Sequence, residues 1–127
     1  YEFHYIDENG KDVIGGFDVD IANEIASALG VELVIQEMDF DALVSALPAG
    51  KVDLVISGMN PTEERAKVVD FSEVYYNSKH GILVRAEDAD KYQTFADLEG
   101  AKVGVQLGST QEKIAKTEIP NLKPSFI

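Results

Sequence analysis

Short, mostly apolar runs alternate with amphipathic stretches through the first half of this chain. Residues 31–35 and 52–56 are runs of the length and composition found in buried strands. Each run follows a stretch, over residues 18–29 and 39–47, in which apolar residues recur every three or four positions. Patterns that alternate in this way are typical of a mostly parallel sheet with helices packed on its faces. The sequence therefore predicts an α/β fold.

The residues at the ends of these stretches are those that begin and end helices. Asp18 and Asp39 are predicted N-caps, because an aspartate side chain can accept a hydrogen bond from a backbone N–H group of the first turn. Gly30 closes the first helix and Pro48 ends the second. A third helix is predicted to begin at Thr62.

The second half of the chain has a different rhythm. Residues 81–85 and 102–106 are predicted strands, and residues 121–127 have the composition of the start of another. Ser109 and Glu112 have the spacing of a capping box, which predicts a helix that starts after Ser109.

Composition and charge exclude several classes of protein. The 127 residues suffice for a core, and 45% of them are hydrophobic, which is typical of a globular chain. The formal charge of −12 argues against nucleic acid and against an anionic membrane surface, since both attract basic patches. The absence of cysteine excludes disulfides, thiolate metal sites and cysteine nucleophiles. The chain begins with Tyr1 rather than methionine, so we expect it to have been processed, trimmed or taken from a longer protein.

Arg65 occupies an unusual place for an arginine. It falls in the first turn of the predicted third helix, where the helix dipole favours carboxylates. It also takes the capping-box position opposite Thr62, where a glutamate would accept a hydrogen bond and an arginine cannot. One interpretation is an anion-binding site with backbone N–H groups beside it. The alternative is a surface ion pair with Glu63, Glu64 or Asp70.

Two predicted strands end in similar loops. Residues 52–56 lead into Ser57-Gly58-Met59-Asn60, and residues 102–106 lead into Gly108-Ser109-Thr110. Each loop is small and polar and opens a capped helix. In open α/β sheets, ligands bind outside the carboxyl ends of the strands, so both loops are candidate binding elements.

The sequence contains no recognisable catalytic set. His4 and His80 are far apart and have no partner at metal-ligand spacing. Ser57 lacks the setting of a nucleophile elbow, and Glu63-Glu64 is explained by the helix dipole. We therefore predict no catalytic residue, no metal and no cofactor.

Several short blocks of the sequence, taken together, point to one family. The chain resembles the bacterial extracellular solute-binding proteins of family 3, which are the amino-acid receptors of ABC importers. The resemblance is carried by GFDVDIA at 16–22, FDAL at 40–43, DLVISGM at 53–59, TEER at 62–65, DFS at 70–72 and GVQLGST at 104–110.

The resemblance implies a type II periplasmic-binding-protein-like fold, in which two α/β lobes joined by a hinge hold an L-amino acid between them. Residues 1–85 would form the first lobe, lacking its first strand, with the first hinge strand at 81–85. Residues 86–127 would begin an incomplete second lobe. On this reading the chain is a fragment of a longer receptor.

The resemblance also assigns binding residues in the first lobe. Arg65 matches the arginine that holds the ligand's α-carboxylate through two parallel hydrogen bonds. Gly58 and Asn60, with Ser57 beside them, match loop positions that offer polar groups to the α-ammonium or the carboxylate. Phe40 matches an aromatic residue packed against the ligand's aliphatic part, and its alternative is a core residue at a helix start.

Three further binding residues are implied in the second lobe. Gly108, Ser109 and Thr110 match a loop whose N–H and hydroxyl groups bind the ligand carboxylate. The alternative is helix capping alone, and both roles can coexist because a cap uses only one of several free N–H groups. The acidic partner of the α-ammonium is expected outside this chain.

The implied function is to bind a polar L-amino acid and deliver it to the membrane permease of an ABC importer. The protein would be extracytoplasmic, either periplasmic or a cell-surface lipoprotein, and would not bind nucleic acid. Two alternatives remain: an enzyme on the same scaffold, similar to prephenate or arogenate dehydratase, and the ligand-sensing domain of a receptor. The sequence leaves open which amino acid is bound, because Met59 and Asn60 permit glutamine without excluding arginine, lysine or histidine.

Overall fold

The computed structural model describes residues 1–126, and its contacts divide the chain into two compact units. The first unit is Tyr1–Phe71 and the second begins at Ser72. Each unit contains one small sheet of two strands.

The first unit opens with an antiparallel hairpin formed by β1 (Phe3–Ile6) and β2 (Asp12–Gly15). Asp7 forms the turn between them, because its carboxylate accepts hydrogen bonds from the N–H groups of Asn9 and Lys11, each at 2.9 Å. An aspartate that bonds its own following backbone in this way stabilises a tight turn.

Helix α1 (Phe17–Leu29) follows directly after the hairpin. Gly16 precedes it with φ 124°, and a Cβ atom there would lie 2.3 Å from the carbonyl oxygen of Tyr1. Only glycine fits such a close approach of two backbone segments. Gly30 ends the helix in the left-handed conformation, with φ 67°, as the sequence predicts.

The predicted cap at Asp18 is wrong. Gly16 occupies the N-cap position, and Asp18 lies one residue inside the helix. Its carboxylate accepts a hydrogen bond from the N–H group of Gly58, 40 residues further along the chain. A long-range partner therefore takes the side chain that the local pattern assigns to the helix end.

Helix α2 (Phe40–Ala46) confirms the second predicted helix and its start after Asp39. The side chain of Asp39 makes no capping bond to the helix, and its carbonyl group accepts the N–H of Ala42 at 3.0 Å. A turn that closes at Gly50 follows the helix, with φ 68° at that glycine.

The third predicted helix is reduced to a single 3₁₀ turn, Arg65–Lys67. Thr62 starts it, because its hydroxyl oxygen accepts the N–H of Arg65 at 3.2 Å and its carbonyl accepts the N–H of Ala66 at 2.9 Å. The turn ends at Val68, whose φ of −125° is not helical. Val68 and Val69 are β-branched and have low helix propensity, which explains why the turn does not extend.

Residues 31–35 and 52–56 do not form the strands that the sequence predicts. Neither segment belongs to a sheet within residues 1–126. Both instead line a groove of about 610 Å³, together with residues of α1. A strand needs a neighbour about 4.8 Å away to make its backbone hydrogen bonds, and segments that border open space lack one. Several of their apolar side chains are exposed, Val34 by 79% and Leu54 by 55%.

The second unit is built around a strand–helix–strand segment. β3 (Lys102–Val105) and β4 (Lys123–Phe126) pair in parallel, and α3 (Thr110–Glu118) connects them. The predicted strands at 102–106 and 121–127 are confirmed within the described residues, while Ile127 lies outside them. The predicted strand at 81–85 is wrong. These residues do not pair with a strand of either sheet in the described residues.

A small apolar core holds the second unit together. Leu98, Val105, Ala115 and Ile119 are each at most 9% exposed and cluster together. The cluster joins β3 and α3 to the turn before them, so the strand–helix–strand segment packs on itself. Across the described part of the chain, no helix has the length and apolar character that crossing a bilayer requires.

Candidate ligand-binding site

Arg65 is held at the start of the 3₁₀ turn by the loop that precedes it. Its Nη1 atom donates a hydrogen bond to the carbonyl oxygen of Asn60 at 2.7 Å. The side chain is half-buried, and this burial lowers the pKa of the guanidinium, while the nearby charge of Glu64 raises it. The guanidinium is therefore a partly desolvated cation, which an anion can stabilise strongly.

Phe40 and Arg65, 25 positions apart in the sequence, meet in the first unit. The Cζ atom of Arg65 lies 5.6 Å from the centroid of the Phe40 ring, within the range of a cation–π contact. Phe40 is the first residue of α2 and is half-buried. The structure thus brings together two residues that the resemblance assigns to one ligand.

The loop at residues 57–60 has a backbone that depends on glycine. Gly58 has φ 51°, and a Cβ atom at this position would lie 2.8 Å from the ring of Tyr1. Its N–H group donates to the Oδ2 atom of Asp18 at 2.6 Å. A side chain at this position would strain the backbone and collide with an aromatic ring.

The two polar side chains of this loop are placed differently. The Ser57 hydroxyl donates to the carboxylate of Glu2, which ties the loop to the start of β1. Asn60 is exposed, and its backbone carbonyl accepts the hydrogen bond from Nη1 of Arg65. Ligand contacts by Ser57, Gly58, Asn60, Phe40 and Arg65 stay predictions, although the first unit places them around one loop and the helix start beside it.

Gly108 and Ser109 belong to the cap of α3. The Ser109 hydroxyl accepts the N–H of Glu112 at 3.1 Å and donates to the carbonyl of Gln106 at 2.7 Å. The Glu112 carboxylate accepts the N–H of Gly108 at 2.7 Å, one residue before the partner that a standard capping box would use. The capping interpretation is therefore confirmed for these residues.

An ion pair between Lys116 and Glu112 stabilises the same cap. The Lys116 ammonium donates to the Glu112 carboxylate, and this bond, followed by that from Gly108, lowers the pKa of Glu112. Ser109 is only 6% exposed, and Thr110 is a half-buried residue at the start of the helix. Ligand binding by Gly108, Ser109 and Thr110 stays a prediction, and capping already uses polar groups of the first two.

Three residues that support the first-unit loop are absent from the sequence-based assignment. Tyr1 covers Gly58, Glu2 accepts from Ser57, and Asp18 accepts from Gly58. Asp18 lies inside the GFDVDIA block, which marks it as part of a shared pattern, but its place near a helix start suggests capping instead. Nothing in the local sequence indicates the contacts of Tyr1 and Glu2.

No group of three or more histidine and acidic side chains in the described residues could hold a metal ion. His4 lies between two carboxylates, with Nε2 at 2.7 Å from Glu37 and Nδ1 at 3.0 Å from Asp12. These contacts raise the pKa of His4, Glu37 contributing more than Asp12.

Residues 1–122 match the family described as bacterial extracellular solute-binding proteins, family 3. The chain belongs to this family. The match spans all of the candidate binding residues in both units.

Relatives and solved structures agree with this membership. The arginine-binding extracellular protein ArtP of Bacillus subtilis is 49% identical over 109 residues, covering 86% of this chain and 42% of its own length. A probable histidine-binding protein of Campylobacter jejuni is 48% identical, covering 80% of this chain and 39% of its own length. A Streptococcus pneumoniae amino acid ABC transporter substrate-binding protein, solved bound to L-arginine, is 41% identical with a TM-score of 0.94.

The extent of these matches bears on both fold and function. The Streptococcus structure covers 99% of this chain and is itself covered over 53% of its length. The predicted fold class, a type II periplasmic-binding-protein-like fold present as an incomplete fragment, is confirmed. The chain spans about two fifths of the length of the curated relatives it matches. The predicted hinge at 81–85 and the lobe boundary after it stay predictions.

Proposed function

We propose that the protein containing this chain binds an L-amino acid with a cationic side chain and presents it to the permease of an ABC importer. The observation that carries the proposal is the half-buried Arg65 guanidinium, seated over Phe40 and bonded to the Asn60 carbonyl. These contacts orient a partly desolvated cation beside the loop at 57–60. An arrangement of this kind suits a carboxylate, which all free amino acids carry.

Burial of Arg65 explains why a carboxylate would bind well there. The half-buried guanidinium has lost part of its hydration, which lowers its pKa. A carboxylate that forms parallel hydrogen bonds with the guanidinium offsets this loss. Lysine would not serve equally, because its single ammonium cannot match the two carboxylate oxygens in one plane.

The names of the relatives support a cationic side chain. One relative is named as arginine-binding, another as a probable histidine-binding protein, and one solved structure holds L-arginine. The sequence alone supports only the wider class of polar amino acids. We therefore rank arginine first and histidine and lysine next.

Transport is inferred from the same relatives. The family is described as extracellular, and the Streptococcus protein is named as the substrate-binding protein of an amino acid ABC transporter. An extracytoplasmic receptor that passes its ligand to a membrane permease fits both descriptions. The relatives are named for binding rather than for catalysis, which supports a receptor over a dehydratase-like enzyme.

The test is a thermal-shift screen of the full-length protein against the twenty amino acids. A ligand present at about 100 times its dissociation constant adds about 2.7 kcal/mol to the free energy of unfolding. We expect L-arginine, L-lysine or L-histidine to give the largest shift. L-Argininamide, which lacks the carboxylate, is the matched control and should give almost none.

Two results would count against the proposal. Stabilisation by argininamide equal to that by arginine would show that the carboxylate is not the group recognised. Turnover of prephenate or arogenate by the same preparation, without stabilisation by any amino acid, would favour the enzyme on the same scaffold.

A further inference from the structure

We propose that Asp18 is a positioning residue of the binding site, fixing the loop at 57–60 through its buried carboxylate. Its effect on a ligand is transmitted through Gly58, whose N–H group bonds to the Asp18 carboxylate. This inference rests on the proposed function, because it concerns the same site.

Asp18 is unusually buried for a charged side chain. It is 2% exposed, the lowest value among the buried side chains of the described residues. The helix dipole does not account for this burial, because Asp20 shares the first turn of α1 and is exposed. Burying a carboxylate costs free energy unless strong hydrogen bonds replace its hydration. The burial of Asp18 therefore calls for a partner in the interior.

Gly58 supplies such a partner. Its N–H donates to Asp18 Oδ2 at 2.6 Å, a short distance typical of a charge-assisted hydrogen bond. The peptide bond between Ser57 and Gly58 is trans, so its carbonyl points away from its N–H. Holding the N–H against α1 therefore directs the Ser57 carbonyl away from α1. The bond fixes the plane of one peptide group in the loop.

The effect extends from this peptide group to Arg65. Gly58 and Asn60 are two residues apart, and the Asn60 carbonyl binds the guanidinium at 2.7 Å. The guanidinium in turn lies over the Phe40 ring. Rotation of the loop backbone at Gly58 would move the carbonyl that orients Arg65. Glycine permits such rotation readily, so a bond that prevents it pre-organises the site for its ligand.

The experiment compares variants of the full-length protein by calorimetric titration with L-arginine and by melting without ligand. We expect Asp18→Ala to weaken binding at least tenfold at a temperature where the unliganded protein is fully folded. Asp18→Asn should recover most of that loss, because an amide oxygen can accept the same N–H. Asp20→Ala, in the same helix turn, is the matched control and should bind as the wild type does.

A spectroscopic measurement separates positioning from general stability. In the unliganded wild type, the Gly58 amide proton should resonate downfield and exchange slowly, as expected for a bond to a carboxylate. It should move upfield in Asp18→Ala and stay close to its original position in Asp18→Asn. If Asp18→Ala does not fold, Asp18→Ser replaces it, since the shorter hydroxyl leaves a gap to the Gly58 N–H.

The outcomes are distinct. Unchanged arginine affinity in Asp18→Ala or Asp18→Ser would overturn the positioning role. An exposed, rapidly exchanging Gly58 amide in the wild type would overturn it as well, whatever the variants do. Failure of the wild type to bind any amino acid would instead refute the proposed function, and the Gly58 amide would still report whether Asp18 holds the loop.

Discussion

At the scale of single residues, Arg65 shows how one side chain can be tied to its own loop and still suit a ligand. One guanidinium nitrogen bonds to the Asn60 carbonyl, and the Phe40 ring supports the guanidinium from 5.6 Å. Both contacts are with uncharged groups. They orient the guanidinium beside the loop at 57–60, where the proposed ligand carboxylate would meet it.

Replacing Arg65 should therefore separate binding from stability. We expect Arg65→Ala in the full-length protein to weaken arginine binding by about 100-fold, since hydrogen bonds to charged groups contribute about 1.5–3 kcal/mol each. The unliganded protein should lose about 1.5 kcal/mol, the lower end of the range for a bond from a charged donor, because Arg65 is only half-buried. Calorimetric titration and thermal melting measure the two effects.

Arg85→Ala is the matched control for this prediction. Arg85 is 77% exposed and pairs with Asp88 at 3.2 Å on the surface of the second unit. Exposed ion pairs contribute little to stability, and we expect binding to be unchanged. A large loss of stability in Arg65→Ala, with its response to arginine retained, would identify Arg65 as a structural residue.

At the scale of secondary-structure elements, the hairpin and the 3₁₀ turn at Arg65–Lys67 depend on single side chains. His4 on β1 links the hairpin to Glu37, beyond α1, and to Asp12 on β2. The short turn at Arg65–Lys67 starts at Thr62 and stops at two valines. Elements this small are stabilised by a few specific bonds rather than by a core.

The contacts of His4 make the hairpin's stability depend on pH. Both carboxylates raise the pKa of His4 above its ordinary value of 6.5. Their stabilising effect is fully present below pH 6.5 and is lost as the pH rises through the folded-state pKa. We expect His4→Gln to lower the melting temperature more at pH 5.5 than at pH 8.5.

His80→Gln is the control for this pH effect, since His80 is an exposed residue of the second unit. Its substitution on the surface should change the melting temperature little. Equal destabilisation by His4→Gln at pH 5.5 and pH 8.5 would show that the two carboxylates do not stabilise a charged imidazole.

The cap of α3 gives a prediction for the second unit. Ser109→Ala removes a hydroxyl that accepts one hydrogen bond and donates another. Loss of an N-cap costs about 1 kcal/mol, and denaturant melts of the full-length protein should show a decrease of about this size. Thr117→Ala, on the exposed part of the same helix, should change stability by less than about 0.5 kcal/mol. Equal effects of the two substitutions would contradict the capping role.

At the scale of the whole molecule, the sequence predicts helices better than strands. The two helices of the first unit and the capped helix of the second were all predicted near their observed positions. The predicted strands at 31–35, 52–56 and 81–85 are not formed. A helix bonds its own backbone within four residues, whereas a strand depends on a neighbour from elsewhere in the chain. A segment can therefore have the sequence pattern of a strand without pairing with a neighbouring strand.

The candidate site shows the same division. Arg65 and the loop at 57–60 could be identified from local patterns, because an arginine at a helix start and a small polar loop after an apolar run are both visible in the sequence. The contact of Arg65 with Phe40 and the bond from Gly58 to Asp18 could not. They join residues 25 and 40 positions apart, and no short pattern specifies such pairs.

The sequence by itself determined the family, the helix ends at Gly30 and Ser109, and the chemical type of the candidate site, because each depends on residues a few positions apart. Only the tertiary structure decided that Asp18 holds a distant loop instead of capping its own helix. The physical reason is that a bond between nearby residues closes a short loop, which costs less chain entropy than closing a long one. A bond across 40 residues forms only when the intervening chain has folded to bring its two ends together.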